Sequence, residues 1–299
     1  MITSRLPRSV SAWRPLLAPM VVLLAWDVGV TVAFSAGWIE FRGITIQYTL
    51  YGTAIALFLG FMVNASYARW WEARTLWGSI VNHSRNLARE ATTLLDPAGR
   101  DARPELIDEV VRAQIAYVHS LRTSLRQQDA PPEIDAYLAP DVAARVKSAS
   151  SSPTATLSYI GRLVAEAHRR GMVDDVARVQ VESTLSTLTD AQGGLERIKK
   201  TPLPVQYRLL PAFFARTFCV ILPFAIYKDL QWWTPIGSGL VGMMFLLAVQ
   251  VGRDLADPFV DRVHDVPMTA ICRGIEIDLL EMIGEDAPAA VTPVGQVLW

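Results

Sequence analysis

Two long runs of this sequence contain no Asp, Glu, Lys or Arg: residues 43–68 and 230–252. Each is long enough for the about 20 helical residues that cross a hydrocarbon core. A third apolar run, about 15–36, is interrupted only by Asp27. A fourth and weaker one, about 209–227, is interrupted by Arg216, Pro211 and Pro223. Only short connections separate the first two runs and the last two, so the pattern predicts two helical membrane hairpins. The first run follows Arg5, Arg8 and Arg14 as a signal peptide would. It is longer than the usual h-region of about 7–15 residues and ends Phe34-Ser35-Ala36, which favours a retained helix.

Between the hairpins, from about 70 to 203, the chain turns charged, Ala-rich and helical. Leu76, Ile80, Leu87 and Leu94 recur at near-helical spacing, so the second span is expected to run on through Arg69-Trp70-Trp71-Glu72. Another helix is expected over about Pro104 to Arg126, with a break at Pro131-Pro132 and a loop over Ser148–Pro153. Asp174-Asp175 begins a further helix that ends near Lys199-Lys200, acids first and bases last as the helix dipole favours. No strand pattern and no internal repeat is visible, and the tail 285–299 reads as loose. The prediction is one all-α unit over 1–299, with four membrane helices and a helical cytoplasmic bulk.

Composition sharpens this. Of 299 residues 51% are hydrophobic and only 19% charged, against about 25% in ordinary soluble domains. The net charge of -1 offers no basic excess for nucleic acid. Two cysteines, Cys219 and Cys272, exclude a disulfide framework. Between the paired spans lie only Arg42 and Lys228, whereas Arg69, Arg74, Lys199, Lys200, Arg208, Arg253 and Arg262 flank the other ends. The positive-inside rule then puts both termini and the middle of the chain in the cytoplasm, with the spans in the cell inner membrane.

Catalytic signals are poor. His83, His119, His168 and His264 are scattered, and no nucleophile elbow or phosphate loop occurs. Asp254, Asp257, Asp261 and Asp265 form a loose acidic set, but Pro258, Arg253 and Arg262 interrupt it, so capping and surface pairing are expected there and no metal site. Asp27 and Arg216 are ionisable groups inside spans, which makes them candidates for function; the plain expectation is that they pair with each other between the first and third spans or snorkel to water, with the structural pair favoured. On the second span Thr53, Leu57 and Phe61 fall at i, i+4 and i+8 on one face. Gly52, Ala56 and Gly60 form a small-residue stripe beside them, fit for close helix approach.

The chain resembles the bestrophin family, in particular its bacterial branch. The resemblance rests on Leu59-Gly60-Phe61, Asn64, Tyr67, Ala68-Arg69, Glu72-Ala73-Arg74 and Leu76-Trp77-Gly78, and on Arg69-Trp70-Trp71. Further on it rests on Thr201-Pro202-Leu203-Pro204, Asp257-Pro258-Phe259, Ile271-Cys272 and Ile275-Glu276-Ile277-Asp278-Leu279-Leu280. It extends from about Trp13 to Met282. It implies a homopentameric ion channel around one central pore, whose partners are copies of itself, the lipid bilayer and small inorganic ions. The neck positions of the family match Thr53, Leu57 and Phe61, with Thr53 departing from the usual apolar group, and its cytoplasmic aperture matches Val176. The acidic calcium-binding run of animal members is missing from Asp257–Asp265, so no calcium and no other cofactor is expected. Chloride or another anion is the expected permeant, with cation passage as the other possibility. The alternatives are a secondary transporter coupled through Asp27 and Arg216, or a membrane-anchored signalling protein.

Overall fold

The computed structural model describes residues 14–40, 47–95 and 104–293. Arg5, Arg8, Arg42, the first residues of the second expected span and residues 294–299 of the tail lie outside them. Among the described residues the secondary structure is entirely helical. The helices are α1 (Arg14–Ser35), α2 (Tyr48–Leu94), α3 (Pro104–Arg126), α4 (Glu133–Tyr137), α5 (Pro140–Ser148), α6 (Ser152–Arg169), α7 (Asp175–Lys200), α8 (Val205–Leu230), α9 (Thr234–Ala256) and α10 (Met268–Met282). Three stretches are long and apolar enough to cross a membrane: Leu16–Ser35, part of α2, and Val205–Ala256, which comprises α8, a single 3-10 turn and α9.

The expectation of one undivided unit over 1–299 needs refinement, because the chain forms two compact bodies. One gathers Trp71–Thr201 with the chain from Phe259, and the other gathers the described residues through Trp70 with Pro202–Pro258. The division follows composition, since apolar helices pack on apolar helices and charged amphipathic helices on one another. The second expected helix does run on without a break into the charged region, as the 47 residues of α2. The loop expected over Ser148–Pro153 is shorter than the Ser-rich sequence indicates, because α5 ends at Ser148 and α6 starts at Ser152. Ser152 and Pro153 occupy first-turn positions, where proline lacks no needed donor.

In the apolar body, α9 packs on both α1 and α8. Lipid tails are as apolar as leucine, so close packing rather than water exclusion holds such helices together. Gly242 makes that possible: a Cβ there would sit 2.3 Å from Leu23 Cδ2 and 3.6 Å from Cys219 Sγ. Ile55, Leu59 and Met62 of α2 are buried with Ala212, Ala215, Phe218 and Leu222 of α8 and Val249 of α9. α8 stays helical through Pro211 and Pro223.

The charged body is organised differently. Val110, Val111, Ile115, Val118 and Leu121 of α3 are fully buried, as are Trp77, Ile80 and Leu87 of α2 and Leu279 of α10. A polar seam runs through this core. The buried His119 lies between two carboxylates, with Nε2 3.0 Å from Glu276 Oε2 and Nδ1 3.1 Å from Glu133 Oε1. Tyr137 donates to Glu276 Oε1 at 2.6 Å, and Arg273 lies 3.0 Å from Glu276 Oε2. Burial opposes the charge of Glu276, but the hydrogen bonds from His119 and Tyr137 and the nearby Arg273 outweigh it and hold the carboxyl below its usual range. Burial pushes the Cys272 thiol up to about 12, which leaves it an inert packing group.

Two predictions follow from this packing. Gly242→Val forces Leu23 out of its place and should destabilise the purified protein by about 1–3 kcal/mol in thermal melting. A carboxyl whose folded pKa is depressed stabilises the fold above its unfolded pKa and loses that contribution as pH falls through the folded value. Glu276→Gln should therefore lower stability by about 1–3 kcal/mol at neutral pH and flatten the loss of stability below about pH 4.5. Melting curves of both proteins from neutral to acid pH test this, and parallel acid limbs would contradict it.

Candidate functional site

The side chains that the chain's own packing leaves uncovered include those of the expected site positions on α2 and at the start of α7. On α2, burial of Ile55, Leu59 and Met62 fixes which way the helix is turned. Residues Thr53, Leu57 and Phe61 then fall on the opposite side, with Leu57 and Phe61 59% and 54% exposed. Asn64 extends the same face two turns beyond Leu57. The Thr53 hydroxyl donates to the Thr49 carbonyl at 2.8 Å, so its polarity is partly spent on its own helix. No charged residue occurs on α2 before Arg69.

The small stripe behaves otherwise than as a packing face within the chain. Only Gly52 approaches another helix, where a Cβ would lie 3.3 Å from Phe218 Cζ; nothing lies within 4 Å at Gly60, and Ala56 is exposed. The bulky trio at 55, 59 and 62 has taken the packing role, and the stripe stays open.

The second place is the start of α7. Gly171, at φ +70°, closes α6: its N–H donates to His168 O at 3.0 Å and the Met172 N–H to Ala167 O at 2.9 Å. Asp174 then caps α7 by accepting from the Ala177 N–H at 2.7 Å, as its sequence position predicts. These two devices put Val176 in the first turn of α7 with its side chain 82% exposed. Val179, on the same side, is also exposed.

The expected pair of Asp27 and Arg216 is not formed. Asp27 on α1 is fully buried, and its Oδ1 accepts from Ser238 Oγ of α9 at 3.1 Å. Its Oδ2 has no hydrogen-bond partner. Arg216 is exposed on α8, beside Pro19, Val22 and Trp26 of α1. Asp27 faces the turn of α9 that carries Ser238 and Gly239, whereas Arg216 is borne by α8. Among the described residues no group of three or more His, Cys, Asp or Glu is placed to hold a metal ion. Members of the Asp254–Asp265 set meet other partners: Gln250 donates to Asp254 at 2.8 Å, Arg126 pairs with Asp261, and the Arg262 N–H donates to Asp265 at 2.9 Å.

The profile of the bacterial and fungal bestrophin proteins matches residues 9–281. The chain belongs to the bestrophin family. It is 36% identical over 277 residues to the voltage-dependent anion channel-forming protein YneE of Escherichia coli strain K12, covering 91% of this chain and 89% of that one. A protein of the same description from Ralstonia nicotianae is 32% identical over 286 residues, 93% of this chain and 92% of its own length. Among solved structures, the bacterial bestrophin homologue of Klebsiella pneumoniae superposes with a TM-score of 0.84 at 28% identity, covering 91% of this chain and 99% of that one.

Sequence reading of this bestrophin missed Ser238 as the partner of Asp27. The available signal was a lone hydroxyl between Gly237 and Gly239 in an uncharged span, the place where a buried carboxyl can approach the backbone. Because Asp27 and Arg216 do not touch, their replacements should act independently. In melting of the purified protein, the effects of Asp27→Asn and Arg216→Gln should add within about 0.5 kcal/mol. A coupling of about 1 kcal/mol or more would restore the ion pair.

Proposed function

We propose that this chain is one subunit of a homopentameric, passive ion channel that conducts small anions. The observation that carries the reading is the uncovered apolar face of α2, Thr53, Leu57 and Phe61, turned away from the buried trio on an uncharged stretch. Four or so spans cannot enclose an aqueous path alone, so a closed cyclic assembly is the physically sensible way to use that face. The open stripe of Gly52, Ala56 and Gly60 beside it lets neighbouring copies of α2 approach closely. The number five comes from the bestrophin resemblance.

In such a ring Leu57 and Phe61 stack as adjacent apolar collars one turn apart. They oppose a hydrated ion by desolvation and gate by dewetting. Thr53 makes the collar before them more polar. Val176 forms a separate aperture, made of exposed side chains at the start of α7. The preference for anions is supported by relatives named as anion channel-forming proteins, and by the positive edges of the phenyl groups in a path without fixed charge. No covalent chemistry and no cofactor enters the reading, and calcium gating is not carried over.

We infer four membrane spans, formed by α1, the first half of α2, α8 and α9, in the cell inner membrane with both termini inside. Support comes from the basic residues near one set of helix ends and the exposed Trp38, Trp232 and Trp233 near the other, where aromatic anchors sit. The rival reading as a coupled transporter loses its candidate pair, since Asp27 and Arg216 do not meet.

Reversal potentials of the reconstituted protein under a chloride salt gradient should shift toward the chloride equilibrium potential; a shift toward the cation value would overturn the anion assignment. Leu57→Ala and Phe61→Ala should raise conductance or open probability without reversing selectivity. Val176→Ala should change relative permeability among ions more than gating. If these side chains only pack between helices, truncating Leu57 would lower oligomer stability by about 2–5 kcal/mol and leave currents unaltered.

A further inference from the structure

The register of α2 carries its open face far beyond the collars. The buried stripe keeps one line from Ile55 through Ala73, Trp77 and Ser84 to Ala91, so the helix does not drift about its axis. Opposite that stripe, past the collars, Asn64, Trp71, Thr75, Asn82, Arg89 and Thr93 follow one another at steps of four and seven, and all six are exposed. The face thus turns from apolar to polar along its length, and Arg89 is the one ionised group on it. At about 100° per residue Arg89 falls within about 20° of the line through Asn64 and Asn82, whereas Arg69, Glu72, Arg74, Arg85 and Glu90 lie about 60° or more away from it. Of these flanking residues, Arg85 pairs with Asp278 of α10 at 2.6 Å and Glu72 with Arg197 of α7 at 2.5 Å.

This end of α2 is fixed against α7. Glu90 is buried, and its Oε1 accepts from Gln180 Nε2 and from Thr184 Oγ1, both at 3.1 Å. Since Glu72 meets Arg197, α7 runs antiparallel to α2, and Val176, one turn before Gln180, lies about one turn beyond Arg89. The open face of α2 and the start of α7 are therefore neighbours. The Arg89 guanidinium is more than half exposed and 3.6 Å from Glu90 Oε1, too long for a hydrogen bond. With the carboxylate inside and the guanidinium outside, the two turn a positive end to the open face. The neighbouring Thr93 hydroxyl is already donated to the Arg89 carbonyl at 2.7 Å. Asp175, the acid beside Val176, is one helical step round α7, with its Oδ1 3.5 Å from His168 Nε2 of α6.

We propose that Arg89 sets the charge preference of the channel, by holding a small inorganic anion at its guanidinium just before the Val176 aperture. The inference rests on the channel reading above: in a ring whose open α2 faces line the path, each copy adds one Arg89 to the wall. Charge of one sign on a confined wall raises the local concentration of its counter-ions. The collars of Leu57 and Phe61 carry no ionised group, so the stretch without fixed charge ends at Arg89. About 40 Å of helix separates Phe61 from Arg89, so the guanidinium stands in water and carries none of the cost of a charge in lipid.

The test is the chloride-to-potassium permeability ratio, taken from reversal potentials of the purified full-length protein in bilayers under a potassium chloride gradient. Arg89→Gln should lower the ratio about fivefold, Arg89→Glu should invert the preference, and Arg89→Lys should keep it. As a charge reversal can prevent assembly, Arg89→Cys lets the charge be changed on channels already formed. A cationic methanethiosulfonate should raise the ratio of that variant and an anionic one should lower it, read against the wild type, whose Cys219 and Cys272 are buried. A wild-type ratio in Arg89→Gln overturns the proposal. So do Arg89→Cys currents that ignore both reagents or answer both alike, since the side chain then lies outside the path. An anion-selective wild type whose preference survives Arg89→Gln fails this inference alone. A wild type that carries no current, or prefers potassium, fails the channel reading on which it rests.

Discussion

The rotation of α2 about its own axis is the constraint from which the rest follows. An α-helix buries one stripe, and here the bulky trio Ile55, Leu59 and Met62 wins that stripe by filling the space between α8 and α9. Once they are buried, a 100° step per residue leaves Leu57, Phe61 and Asn64 on the far side with no freedom to change. The small residues Gly52, Ala56 and Gly60 fall at the edge of the two faces. The result is an apolar, uncharged and uncovered face flanked by a stripe of small residues. The same register continues into the charged region, where Ala73, Trp77, Ile80, Ser84 and Leu87 continue the buried stripe.

The two compact bodies solve the same packing problem with different forces. In the apolar body the surrounding solvent would be lipid, so burial of leucine gains little and fit decides; hence Gly242 against Leu23, and Gly252, where a Cβ would lie 2.5 Å from Met62 Cε. In the charged body ordinary water exclusion applies, and α3 supplies a long run of fully buried residues. That body can also bury polar groups, provided each finds a partner. His119 between Glu133 and Glu276, and Arg126 between Asp261 and Thr269, meet that condition.

Much of this was legible in the sequence, for identifiable reasons. Charge-free runs longer than a bilayer is thick can be only a few things, so the apolar helices and the unbroken α2 were readable. Asp174 and Pro104 announced their helix starts because capping is local chemistry. The Leu57–Phe61 face was readable as a face because helical periodicity is geometry. What periodicity could not decide was which of two adjacent apolar faces turns inward: Leu59 and Met62 look no more buried in sequence than Leu57 and Phe61. Nor could periodicity show that only Gly52 of the small stripe's glycines meets another helix within the chain. The Ser148–Pro153 loop was overread because serine and proline serve helix starts as well as turns. In the seam of His119, Glu133 and Glu276, His119 meets Glu276 across 157 positions of sequence, and no local signal announces such a meeting.

The treatment of Asp27 and Arg216 shows why spacing along a chain does not settle electrostatics inside a membrane. An acid and a base in two apolar spans invite pairing, because each alone is costly on insertion. Yet a short acid and a long base relieve that cost by different routes. Asp27 is fully buried, so it must find a donor within its own turn of the bundle, and Ser238 of α9 supplies it. Arg216 carries its charge on a flexible stem and need not be satisfied at the height of its own Cα. It leaves α8 at an open slot lined by Val22 and Trp26 of α1 and stays exposed there. Side-chain length, more than charge, separates the two residues into a buried group and an exposed one.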